Sequence, residues 1–290
     1  MRPDTWADGS CGGCWPRASR SRRWDERRLA DLGAAGAATM AGDASDPAFL
    51  TRAFRGAHAV HTLLPYDPAS PDYHGDQDRL GESIVAAVRA AGVRHVVALS
   101  SVGADVPAGT GFLTSLFRQE QRLRALADVH VLALRPGYFF ESVAAAADVV
   151  REHGVNVDAI AGDVPIPMVA TRDVGDAAAR ALVARDWSGF AVRELLGPRD
   201  LTYAEATRIL GDALGRPDLG YVQLPGEEMA AILVQAGFAP QVAALHVEFA
   251  GALGDGTIRA QERSVAGTRS TTTPTGFEDV VGELMGVAAP

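Results

Sequence analysis

Hydrophobic positions along the chain fall into two patterns, short apolar runs and stretches that repeat every three to four residues, and their alternation sets the predicted elements. Asp46 as N-cap and Pro47 at the first helical position predict a helix over 48–54. Residues 57–64 then read as a buried strand that stops at Pro65. Leu80, Ile84 and Val88, with Val85 beside them, fall at helical spacing, which predicts a helix over 75–91 with Gly92 at a left-handed cap. A strand over 93–99 runs into Ser100 and Ser101, followed by a glycine-rich loop (Gly103, Gly109, Gly111) and a helix over 113–126. A further strand over 129–134 leads to a helix over 141–151, closed near Gly154. Strands alternating with helices of this length require right-handed crossovers and a parallel sheet covered on both faces.

Beyond residue 155 the pattern is more mixed. It predicts helices over 173–184, 227–235, 240–253 and 277–284, and a strand over 191–196. Thr202 with Glu205 three residues on has the form of a capping box, opening a helix that runs to Leu214 and closes at Gly215. The expected organisation is an irregular segment over 1–24, a parallel α/β core over 25–155, and a smaller α/β lobe over 156–290 that partly returns to the core.

Composition narrows the chemistry. The 290 residues are 47% hydrophobic, enough to bury one large core. A formal net charge of -9 argues against a nucleic-acid surface, since phosphates would be repelled. No apolar run is long enough to span a membrane, and a cytoplasmic protein is the expectation. Cys11 and Cys14 supply only half the ligands of a structural zinc site, so no metal is expected. The chain contains no lysine. That removes a P-loop, Schiff-base catalysis, and the Tyr-x-x-x-Lys pair with which ordinary short-chain dehydrogenases lower a tyrosine pKa.

Several segments, in order, carry a family resemblance: Gly42-Asp43 after an expected short strand, Leu63-Leu64-Pro65, His95 to Ser101, Glu120-Gln121-Arg122-Leu123-Arg124, and Leu134-Arg135-Pro136-Gly137-Tyr138-Phe139. Thr171-Arg172-Asp173-Val174 and Leu196-Gly197-Pro198 with Leu201-Thr202-Tyr203 continue it. Together they resemble the NmrA-like members of the atypical short-chain dehydrogenases, which are NAD(P)-binding Rossmann proteins. The resemblance implies a doubly wound parallel sheet and NADP or NAD as cofactor. For function it implies either an oxidoreductase that passes hydride to a quinone or similar small carbonyl acceptor, or a non-catalytic dinucleotide sensor acting through a protein partner. A homodimer is compatible with both.

Two departures stand out. Where many relatives carry a lysine four positions before the Glu-x-x-Leu-Arg segment, this chain has Leu116. The opening strand and its Gly-x-x-Gly-x-x-Gly turn, which let backbone approach a pyrophosphate at a helix N-terminus, do not occur in 1–24. One account is an out-of-frame reading of that fingerprint: shifted by one base, Trp6-Ala7 forces glycine, Cys14-Trp15 forces leucine and Trp15-Pro16 forces alanine. On that account the opening strand lies upstream of Met1, dinucleotide binding is impaired, and the chain is an inactive, frame-disrupted copy. A divergent arm is the other account.

By resemblance, Asp43 sits beside the adenine, and Leu64, Pro65 and Tyr66 flank the cofactor at a strand's carboxyl end, where open α/β sheets bind ligands. Ser100 and Ser101 reach the nicotinamide ribose or a carbonyl substrate, and Tyr138 and Phe139 wall the nicotinamide pocket. Each also has a plain structural reading: turn chemistry for Asp43, a strand exit for 64–66, a capping hydroxyl for the serines, core aromatics for 138–139. His61 and His95, inside strands, are expected as satisfied core histidines.

Overall fold

The computed structural model describes residues 29–261 and 272–285. A helical turn pair over 29–34 precedes the first full element. Helix α1 (Pro47–Phe54) starts as its sequence requires, with the Asp46 carboxylate accepting the Ala48 N–H at 2.9 Å. Strand β1 (Ala59–Thr62) is shorter than its apolar run, because the Ala57 N–H turns back to the Phe54 carbonyl. Helix α2 (Tyr73–Ala91) ends at a left-handed Gly92, as its spacing predicts. Strand β2 (His95–Leu99), helix α3 (Thr114–Arg124), strand β3 (His130–Pro136), helix α6 (Thr171–Ala184) and strand β7 (Phe190–Leu195) complete the core.

The strands form one parallel sheet in the order β1-β2-β3-β7. Val60, Val96 and Val131 lie side by side in register, and Val131 in turn faces Phe190. Alternation along the strands gives each face its own core. Val60, Val96, Ala98 and Val131 pack with Leu50, Ile84, Val88 and Leu123 of α1, α2 and α3. Val97, Leu132 and Leu134 point the other way, onto Val174, Ala177, Ala178 and Ala181 of α6. The molecule is thus an α/β, Rossmann-like protein with a sheet covered on both faces. Among the described residues β1 has a strand partner on one side only.

The lobe is built on short elements: β4 (Tyr138–Phe139), α4 (Phe140–Ala144), α5 (Ala147–His153), β5 (Asn156–Asp158), β6 (Ile166–Val169), β8 (Asp200–Leu201), α7 (Tyr203–Ala213), β9 (Tyr221–Gln223), α8 (Gly226–Gln235), α9 (Pro240–Gly254) and α10 (Phe277–Met285). Strands β4, β6 and β8 make one small sheet, β5 and β9 another. Phe140, Ile160, Leu210, Phe249 and Phe277 anchor its core.

Three expectations need correction or placement. The short strand before Gly42 does not form: residues 37–41 carry no regular structure and pair with no strand among the described residues, and Met40 is 49% exposed. The single helix over 141–151 is two, α4 and α5, broken at Ala145-Ala146. The Glu141 carboxylate accepts the Thr171 N–H at 2.9 Å and ties α4 to the start of α6, while the Val150 carbonyl of α5 accepts from Arg216 at 3.0 Å, so the halves are fixed to different partners. The segment 1–24, with its cysteines, arginines and any trace of the glycine turn, lies outside the described residues.

Candidate active site at the strand carboxyl ends

The loop leaving β1 carries Leu63, which is 46% exposed, then Leu64, half-buried on the α1–α3 side. The Pro65 carbonyl accepts from Gln77 Nε2 at 2.7 Å, which fixes the loop to α2. Tyr66 places its ring 5.8 Å from Tyr73 and 5.5 Å, edge to face, from Phe112. Burial pushes the phenols of Tyr66 and Tyr73 well up from their ordinary value, so both remain neutral hydrogen-bond donors.

Past β2, Ser100 is buried and its hydroxyl donates to Glu120 at 2.6 Å. Arg135, at the end of β3, reaches the same carboxylate through Nε at 2.8 Å and Nη2 at 2.6 Å. Burial opposes the guanidinium charge, but these bonds and the Glu120 charge outweigh it and raise the arginine pKa. Ser100 therefore spends its hydroxyl on a lock between β2, α3 and β3. Ser101 is half-buried and donates to the Val102 carbonyl at 2.9 Å.

Gly137 lets the chain leave β3 against β6: a Cβ there would lie 2.3 Å from the Pro167 carbonyl oxygen. That close approach sets Tyr138 with its hydroxyl 3.0 Å from that of Tyr203, the first residue of α7. The Tyr138 ring stacks on Phe249 at 6.0 Å, and Phe249 lies 4.5 Å from Phe112. Phe112 stands in the tight turn before α3, where Gly111 at a φ of +59° brings the turn onto the Leu245 carbonyl. Phe139 points away, into the core under α6.

The fold thus brings Tyr66 and Tyr138 into one aromatic group through Phe112 and Phe249. Ser100 and Ser101 lie at the adjoining strand end. Asp43 stands apart on an exposed turn, its carboxylate accepting from Ser45 N–H at 2.8 Å and Ser45 Oγ at 2.7 Å, bonds that hold its pKa below the ordinary value. His61 donates from Nδ1 to the Val97 carbonyl at 3.0 Å, yet it is exposed rather than in the core, because β1 is at the sheet's described edge. His95 is half-buried against His130 and Trp187.

Sequence reasoning missed Phe112, Phe249 and Tyr203 as parts of one group; their separation along the chain leaves no local signal. It also missed two polar pairs at the rim. His74 Nδ1 lies 2.7 Å from Ser115 Oγ, and His246 Nε2 lies 2.9 Å from Asp158, whose carboxylate also accepts the Ala159 N–H at 2.7 Å. Among the described residues no group of three or more His, Cys, Asp or Glu could hold a metal, and no helix is long and apolar enough to cross a membrane.

A dinucleotide fits this arrangement in part. The exposed Leu63 and half-buried Leu64 follow β1, half-buried Ser101 follows β2 and half-buried Tyr138 follows β3, at the strand carboxyl ends where an open α/β sheet takes the nicotinamide end of a dinucleotide. A pyrophosphate needs unpaired N–H groups at a helix start. At α2 the Tyr73 N–H already donates to Gln241 Oε1 at 2.7 Å and the Gly75 N–H to Asp72 at 3.3 Å. The described residues therefore fit the nicotinamide end of the cofactor.

Comparisons with known proteins give the family and the fold. The NAD(P)H-binding family matches residues 20–185, more than half of the chain. The (4-alkanoyl-5-oxo-2,5-dihydrofuran-3-yl)methyl phosphate reductase of Streptomyces griseus is 32% identical over 240 residues, 83% of this chain and 77% of the relative. An NAD(P)H azoreductase from Xenophilus azovorans is 27% identical over 221 residues, 76% of this chain and 73% of its own length. Among solved structures, an NADPH-dependent quinone oxidoreductase from Escherichia coli, complexed with NADPH, superimposes with a TM-score of 0.74 at 23% identity, covering 91% of this chain and 88% of the other, which establishes the shared fold. The chain is a member of the NAD(P)H-binding family.

Proposed function

We propose that this NAD(P)H-binding oxidoreductase reduces a small, flat, conjugated acceptor such as a quinone. The observation that carries the reading is the aromatic group of Tyr66, Phe112, Tyr138 and Phe249 at the strand carboxyl ends. Four rings from four separate elements converge there, and such walls hold a planar molecule by stacking while excluding water. The relatives support the choice: one name describes a conjugated furanone, another an azo reductase, the fold neighbour a quinone oxidoreductase.

A reduced nicotinamide, when bound, supplies the hydride. The chain's own part is placement. Leu64, Pro65, Tyr66, Ser101 and Tyr138, at the strand carboxyl ends, would hold the cofactor's ring end, Phe139 would anchor β4 to the core, and Asp43 would face the adenine side. Tyr203, joined to Tyr138 through its hydroxyl, stays a neutral hydrogen-bonding group rather than a charge, because burial holds its phenol far above the ordinary pKa. Orientation and dryness of this kind supply most of what hydride transfer requires.

The test is a fluorescence titration of the chain with NADPH and NADH, followed by oxidation of the bound dinucleotide with para-benzoquinone. Saturable binding and quinone-dependent oxidation are expected. Binding without turnover would make the chain a dinucleotide sensor, and absence of binding would rule out both.

A further inference from the structure

Hydride transfer to a conjugated acceptor creates an anion that needs a proton, and the site lacks the usual donor. The chain has no lysine, and Leu116 stands where relatives carry one. One helical turn earlier, where a Tyr-x-x-x-Lys pair would place its phenol, the chain has Phe112, a ring with no proton to give. Burial holds the surrounding phenols, Tyr66, Tyr73, Tyr203 and Tyr221, above their ordinary pKa, which makes them weak acids.

One titratable group at the rim is built differently. His74 stands on the first turn of α2, the helix that follows the carboxyl end of β1, and Ser115 on the first turn of α3, which follows the carboxyl end of β2. Both helices cover the same face of the sheet, so the two residues bracket the rim above the carboxyl ends of β1 and β2. Ser115 is 1% exposed and His74 is half-buried. Their 2.7 Å hydrogen bond fixes the imidazole through Nδ1, and among the described residues Nε2 makes no hydrogen bond. The ring adjoins Tyr73 at 5.7 Å, and Tyr73 adjoins Tyr66.

We propose that His74, oriented by Ser115, is the proton donor to the acceptor, an inference that rests on the hydride-transfer reading above. With a conjugated carbonyl, hydride adds to the β-carbon, the C=C pair moves to form an enolate, and the acceptor gains two electrons while the nicotinamide loses two. The Nε2–H bond of the imidazolium breaks and its proton goes to the enolate. The ring is left neutral, its Nδ1–H still donated to Ser115 Oγ, and regains a proton from solvent through its exposed side. A quinone makes a weaker demand, since its reduced anion is less basic and takes a proton from water.

The charged groups facing the ring are Arg118 of α3, Asp72 at the N-cap of α2, Asp78 of α2, and Glu248 of α9. Burial, then Arg118, lowers the imidazole pKa, against the three carboxylates. The active form is the imidazolium, so the rate falls as pH rises through that lowered value.

The experiment compares wild type, His74→Gln and Ser115→Ala with two acceptors, cyclohexenone and para-benzoquinone, over a pH series. His74→Gln is expected to lower the ratio of enone to quinone turnover about 100-fold, the size of a positioned general acid, and to abolish the falling limb with enone. Ser115→Ala is expected to keep the limb but move its midpoint. An independent readout is the imidazole-carbon NMR titration of His74 in the cofactor-free chain, where 2,4-dinitrophenol, a flat phenol already ionised over that pH range, raises its pKa. An unchanged ratio and limb in His74→Gln, or a His74 titration indifferent to the phenol, overturns the inference and leaves the reductase reading standing. A wild type that reduces neither acceptor overturns both.

Discussion

Arg135 and Glu120 meet through two hydrogen bonds inside a core that leaves them 8% and 1% exposed, and Ser100 adds a third bond to the same carboxylate. Two charges removed from water hold only because every strong donor and acceptor between them is matched. Replacing Arg135 by Met leaves Glu120 buried and unpaired, and the expected loss is about 3–5 kcal/mol, read as a lower denaturant midpoint. A loss under about 1 kcal/mol would mean that the carboxylate finds other partners or water. Both partners were legible as family residues, but the assignment of Ser100 to this lock was not. A serine after a strand looks the same whether its hydroxyl faces a ligand or a carboxylate 20 positions along the chain.

At the scale of elements, local chemistry was the readable part. The Thr202 side chain accepts the Glu205 N–H at 3.1 Å, and Glu205 accepts the Thr202 N–H at 2.9 Å, the reciprocal pair that four residues of sequence predict. Thr202→Ala is expected to cost about 1 kcal/mol, measured by thermal or urea unfolding. Because Tyr203 is the next residue and holds Tyr138 through its hydroxyl, the same change is expected to weaken the near-ultraviolet circular dichroism of the aromatic group; a stability loss with an unchanged spectrum would detach the cap from the site. Elements fixed by distant contacts were not readable. The break at Ala145-Ala146 follows from what Glu141 and Val150 each bond to, and four alanines in a row give no local cue. Strands of two to four residues, such as β4, β5 and β6, are too short to show a period.

At the scale of the molecule, the unequal support of the sheet is the main feature. Strands β2 and β3 have neighbours on both sides, while β1 among the described residues has one, with His61 and Leu63 exposed there. An edge strand opens at lower free energy than a central one. Hydrogen exchange is therefore expected to be faster across 59–62 than across 95–99 and 130–136; equal protection of all three would show that something covers the β1 edge in solution. Dinucleotide binding at the carboxyl end of β1 is expected to slow exchange there first.

What the sequence determined by itself was whatever depends on near neighbours: helix starts at Asp46 and Thr202, the stop at Gly92, the alternation of strands and helices, and hence a parallel sheet with two covered faces. It also carried the family, because the order of short motifs survives without contacts. Only the tertiary structure decided which side chains share a site. Tyr66, Phe112, Tyr138 and Phe249 converge from four elements, and His74 meets Ser115 across two helices, because the sheet's register and the packing of α2, α3 and α9 bring their backbones together. Contacts of that range are set by the burial of the whole core, which no local spacing encodes.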